Sequence, residues 1–128
     1  MTFRSGDIVL LPFPFTDLSA TKRRPALLLK SLGEFGDWLC LPVTTQGTHS
    51  ASMALRDDDF ADGALPHTSW VRVNRPTLLN EAIMLGRLGS LTPEIAAAIH
   101  LAMCKAMECV GHAVMEPRIA MYRVEGDE

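Results

Sequence analysis

The chain has 128 residues and a mass of 14.0 kDa, enough for one domain with a real core and too little for two. Its 48% hydrophobic and 21% charged content excludes a disordered chain, and no apolar run approaches the roughly 20 residues that cross a bilayer. A formal net charge of −3 gives no global attraction to nucleic acid, so binding of that kind requires a local basic patch.

The opening MTFRSGDIVLL lacks an apolar segment followed by a small-residue cleavage site, and a soluble, cytoplasmic protein is expected. Cys40, Cys104 and Cys109 form no CxxC pair and have no histidine at zinc-finger spacing. Reduced structural thiols are expected, with no metal and no cofactor.

Residues 8–11 form a short apolar run between Gly6-Asp7 and two prolines, Pro12 and Pro14, which suits a buried strand. After the turn formers of residues 14–21, residues 26–29 are again short and apolar, which predicts two strands joined by a mobile basic loop. Residues 38–43 read as a third strand, 44–50 as a polar loop and 52–55 as a fourth strand. The acidic, turn-rich segment 56–63 follows, with further strands at 70–73 and 77–79. Short strands at this spacing predict a small barrel or sandwich. At Ser90 the pattern changes: Thr92 is an N-cap, Pro93 suits the first helical position and Glu94 lies at the favourable end of the helix dipole. Ile95, Ile99, Ala102, Met103 and Ala106 then recur as the apolar stripe of a helix that should stop near Val110 and Gly111. Residues 113–128 form a C-terminal extension, either a docked strand around 119–124 or a loose tail, beyond a domain covering 1–112.

No Walker, GxSxG, HExxH or GxGxxG sequence occurs. His49, His67, His100 and His112 are scattered, and His100 reads as a structural residue of the helix. Asp57, Asp58, Asp59 and Asp62 lack the DxDxDG calcium loop and read as a solvated turn. The densest cationic stretch is TKRRPALLLK, in which Lys22, Arg23 and Arg24 supply three of the twelve Lys and Arg residues. Arg24 presents a planar fork of donors suited to a phosphate, and Thr44 and Thr45 at the end of a strand offer hydroxyl donors to the same group. The plain alternatives are a surface charge ahead of a strand and ordinary β-branched loop residues.

GDIVL at 6–10, RPALLL at 24–29, LPVTTQ at 41–46 and LGSLTPE at 88–94 occur in an order and spacing that resemble the PemK/MazF (Kid-like) toxins of type II toxin-antitoxin systems. The resemblance is strongest over residues 5–55. It implies a mainly β fold, an SH3-like small barrel with a C-terminal helix, and a homodimer. It also implies metal-independent, sequence-selective cleavage of single-stranded RNA, mostly mRNA, in which the ribose 2′-hydroxyl attacks the adjacent phosphate. By the same resemblance Arg24 would hold the scissile phosphate and take part in proton transfer, and Thr44 would donate a hydrogen bond to it. Lys22, Arg23, Thr45, Gln46 and Phe15 would contact substrate, with Arg72, Arg75 or Arg87 as added cations and bases stacking on Phe13, Phe15 or Trp38. A cognate antitoxin with an acidic tail would cover the same groove. Pro12-Phe13-Pro14-Phe15 departs from better-known members, which marks a divergent branch. Two other functions remain open at this point: a non-catalytic toxin fold that grips a protein, as gyrase-poisoning relatives do, and a plain nucleic-acid-binding barrel.

Overall fold

A computed structural model of the chain describes residues 2–14 and 21–108. Eight strands run in chain order: β1 (Asp7–Pro14), β2 (Thr21–Ser31), β3 (Asp37–Thr44), β4 (Ser52–Leu55), β5 (Phe60–Gly63), β6 (Ser69–Arg72), β7 (Thr77–Asn80) and β8 (Gly86–Leu91). One helix, α1 (Pro93–Met107), follows. The strands pair antiparallel in the order β4-β6-β3-β2-β1-β8-β5, with β7 also on β3, and the sheet curls into a half-barrel. This is the mainly β, barrel-like architecture with a terminal helix that the sequence implied.

The apolar runs of β1, β2 and β3 are continuous rather than alternating because these strands are buried on both faces. Ile8, Leu27, Leu29, Leu41 and Val43 point into one core with Ile99 and Met103 of α1. Val9, Leu11, Ala26, Leu28 and Cys40 point the other way, into a second core closed by Phe3 and Trp38. Docking α1 rests chiefly on Ile99 and Met103, each worth roughly 1.5–3 kcal/mol of burial, with Ile95, Ala102 and Cys104 packed partly buried beside them. Its start is the expected one: the Thr92 side chain accepts from Ile95 N at 3.3 Å and Pro93 occupies the first turn. Its end is earlier than expected, at Met107, where Glu108 turns left-handed at φ 53°. Cys109, Gly111, His112 and the extension 113–128 lie outside the described residues.

Three further expectations need correction. The basic residues are not in a loop: Lys22, Arg23 and Arg24 belong to β2 and pair with Phe13, Pro12 and Leu11 of β1. The acidic turn at 56–63 contains a single 3-10 turn (Asp57–Asp59) and then β5. Residues 86–91, read from sequence only as the approach to the helix, form β8. Both overlooked strands contain glycine because they approach closely. A Cβ on Gly63, which has φ +72°, would collide with Leu88 O, and one on Gly89 would meet Asp62 O at 2.8 Å. Propensity cannot reveal such strands, since their pairing rests on missing side chains.

The GD of GDIVL is structural. Gly6 adopts φ +94°, donates to Leu28 O and accepts from Leu91 N, each at 2.8 Å, while Asp7 Oδ2 accepts from Arg4 N at 2.8 Å. These bonds tie the start of β1 to β2 and β8.

Candidate functional site

The ladder between β2 and β3 ends at the pair Ala26 and Pro42. Beyond it the strands separate: Thr21 to Pro25 stay paired with β1, whereas Val43 and Thr44 pair with Val71 and Trp70 of β6. Pro25 and Pro42 both stand at the fork, and neither has an N–H with which to continue a ladder. A cleft of about 370 Å³ opens in the gap, lined by Arg24, Thr44, Gln46, His49 and Arg72 together with the two prolines. The prolines of RPALLL and LPVTTQ thus shape the cleft, and the residues beside them furnish it.

Thr44 is nearly buried, at 7% exposure, and its Oγ1 accepts a hydrogen bond from Gln46 N at 3.1 Å. With one of its two acceptor positions occupied, the Thr44 hydroxyl keeps its proton and a second lone pair for a ligand. Arg24, half-buried, comes from β2, and Arg72, also half-buried, comes from β6. The Nε of Arg72 is buried without a hydrogen-bond partner among the described residues, and so is the Oγ of Ser52, directly opposite it in the β4–β6 register. Two arginines line one cleft, and the planar fork of a guanidinium is chemically suited to phosphate oxygens.

The other sequence candidates separate from this group. Arg23 is exposed, and strand alternation turns it to the face opposite Arg24. Thr45 is exposed and does not line the cleft, whereas Gln46 does. Arg87 is engaged elsewhere: its Nη1 donates to Asp62 Oδ1 at 2.7 Å, and that hydrogen bond and charge raise its pKa above the ordinary arginine value. Arg75 is exposed and outside the cleft. Trp38 cannot stack a base, since it is 6% exposed and its Nε1 donates to Glu81 Oε2 at 3.1 Å. Phe15 and the side chains of Phe13 and Lys22 lie outside the described residues. The acidic run acts locally, Asp59 Oδ2 accepting from Arg56 N at 2.8 Å and Asp62 holding Arg87.

His49 was one of four scattered histidines in the sequence, and Arg72 only one of three added cations. Both stand in the cleft because β6 pairs with the far end of β3, a long-range pairing that spacing along the chain does not reveal.

The family model for the PemK-like, MazF-like toxin of type II toxin-antitoxin systems matches residues 4–107. The chain belongs to this family. Among solved structures, the MazF-like chain is similar to an endoribonuclease from a mycobacterial species solved in complex with its cognate antitoxin. That match has 20% identity and a TM-score of 0.62, covering 84% of this chain and 96% of that one. It is also similar to a MazE-MazF structure from Deinococcus radiodurans, at 19% identity and a TM-score of 0.65, covering 81% of this chain and 94% of that one. A third likeness is to the Mycobacterium tuberculosis toxin MazF-mt6, at 17% identity and a TM-score of 0.60, covering 80% and 96%. No curated protein matches the MazF-like chain by sequence. Among the described residues no helix is long and apolar enough to cross a membrane.

Proposed function

We propose that this MazF-like toxin is a metal-independent, sequence-selective endoribonuclease that cuts single-stranded RNA, chiefly mRNA, at the cleft between β2 and β3. The observation that carries the reading is the convergence of Arg24 and Thr44, distant in sequence, on one cleft of about 370 Å³ with a second arginine, Arg72. The ribose 2′-hydroxyl is the nucleophile. It attacks the adjacent phosphorus, the P–O5′ bond breaks, and a 2′,3′-cyclic phosphate and a 5′-hydroxyl result. The reaction asks the protein to position the phosphate, move protons and stabilise the extra negative charge of the pentacoordinate transition state. Arg24 holds the non-bridging oxygens and supports proton transfer through its N–H groups; Thr44 donates its hydroxyl proton to one of those oxygens. Gln46 at the rim contacts the flanking nucleotides.

The cognate partner is an antitoxin whose acidic, substrate-like segment covers the two arginines, and the toxin works as a homodimer in the cytoplasm. The mycobacterial endoribonuclease solved with its antitoxin supports this pairing by analogy of fold. The test is incubation of purified protein with a long single-stranded RNA in EDTA, followed by end analysis of the fragments. Cyclic-phosphate and 5′-hydroxyl ends are expected, with the rate reduced about 100- to 1,000-fold in Arg24→Ala. Intact RNA over a range of sequence contexts would refute the enzyme and leave a toxin fold that acts by gripping a protein.

A further inference from the structure

The cleft is rich in donors and poor in acceptors. Arg24 and Arg72 donate only, Thr44 has an acceptor position taken by Gln46 N, and no carboxylate lines the cleft among the described residues. Attack by a 2′-hydroxyl nevertheless requires something to take its proton. Among the described residues His49 is the one in the lining with a basic lone pair, and imidazole is the side chain type suited to general-base work near neutral pH.

The loop that carries His49 is pinned on both sides of it. Before it, Gln46 N donates to Thr44 Oγ1 at 3.1 Å. Gly47 packs against the indole of Trp70, so close that a Cβ there would stand 2.6 Å from Cζ2. After it, Ala51 takes a left-handed φ of 54° and its carbonyl accepts from Val73 N at 3.0 Å. These contacts hold the loop backbone on both sides of His49, whose half-buried side chain lines the cleft.

We propose that His49 is the general base of the cleavage, an assignment that rests on the ribonuclease reading above. The neutral imidazole takes the 2′-hydroxyl proton as the O2′–P bond forms and the P–O5′ bond breaks. The departing 5′-oxygen is protonated by water, and the imidazolium then returns its proton to solvent, so no net proton is gained or lost. Among the described residues, the charged groups that share the cleft with His49 are Arg24 from β2 and Arg72 from β6.

The experiment compares wild type, Arg24→Ala and His49→Gln on an RNA oligonucleotide containing a cleaved site, with the pH-rate profile of each active protein. For His49→Gln, kcat falls about 100-fold or more while KM changes less than about threefold, and the acidic limb of the wild-type profile disappears. His49→Ala regains part of its rate on addition of free imidazole, a gain that a folding defect would not allow. A substrate with a bridging 5′-sulfur, whose leaving group needs no proton, suffers the same fold-loss in His49→Gln as ordinary RNA. Relief of the loss by that substrate overturns the assignment as base, as does an unchanged profile or an effect confined to KM. Cleavage that depends on Arg24 but not on His49 defeats this inference alone, whereas intact RNA with wild-type protein defeats the ribonuclease reading and the inference with it.

Discussion

Replacing Thr44 by valine keeps the shape of a nearly buried residue and deletes one hydroxyl, which accepts a hydrogen bond in the structure and has a second, separable task in the proposed reaction. As an acceptor it holds Gln46 N at 3.1 Å; losing that bond leaves an amide unpaired and costs about 1 kcal/mol, a fall of about 4 °C in Tm for a domain of this size. In the proposed reaction it donates to the scissile phosphate and stabilises developing charge, and removal of one such donor is expected to lower kcat by about 100- to 1,000-fold. The magnitudes distinguish the two effects. A domain with about 5 kcal/mol of stability remains more than about 99% folded after losing 1 kcal/mol, so unfolding cannot imitate a hundredfold rate loss. Initial rates of RNA cleavage at 25 °C beside thermal unfolding of Thr44→Val and Thr44→Ser measure both. Thr44→Ser retains the hydroxyl and should stay within about tenfold of wild type. The reasoning is refuted if Thr44→Val cleaves at a wild-type rate, or if serine is as damaging as valine.

Two further outcomes concern the scaffold. Gly63→Ala places a methyl against Leu88 O and Gly89 Cα, both backbone atoms that have no rotamer to yield, at a φ of +72° that L-residues avoid. A loss of about 2–3 kcal/mol, read from the urea midpoint, is expected, and an unchanged midpoint would contradict the close β5–β8 pairing. Burial pushes the Cys40 thiol from 9.0 up to about 12. The folded chain keeps this proton where the unfolded chain releases it, so the contribution to stability is complete below pH 9 and is lost as pH rises toward 12, at about 1.4 kcal/mol per pH unit. Urea unfolding across that range, with Cys40→Ala showing a shallower decline, measures it; equal slopes would count against the burial.

Much of the sheet was legible in the sequence. The runs at 8–11, 26–29 and 38–43 could be read as strands because each is buried on both faces, and the Thr92-Pro93-Glu94 start of α1 depends on local chemistry alone. β5 and β8 were not legible, since glycine and charge dominate them and what makes them strands is the approach of Gly63 to Gly89 across a long loop. The strand character of Lys22 and Arg23 was hidden for a related reason: their partners are Phe13 and Pro12, and cations carry little β preference of their own.

The site divides along the same line. By itself the sequence pointed to Arg24 and Thr44 only through the resemblance carried by RPALLL and LPVTTQ, since spacing alone left a surface charge and an ordinary loop threonine as the plain alternatives. Only the tertiary structure decided that the strands part at Pro25 and Pro42, that Arg23 faces away, that Trp38 is buried in the core, and that Arg72 and His49 join the cleft. The physical reason is the partner change of β3, from β2 to β6, at its last two residues. It brings together side chains that no local preference links, and it is made by where two backbones can no longer share hydrogen bonds.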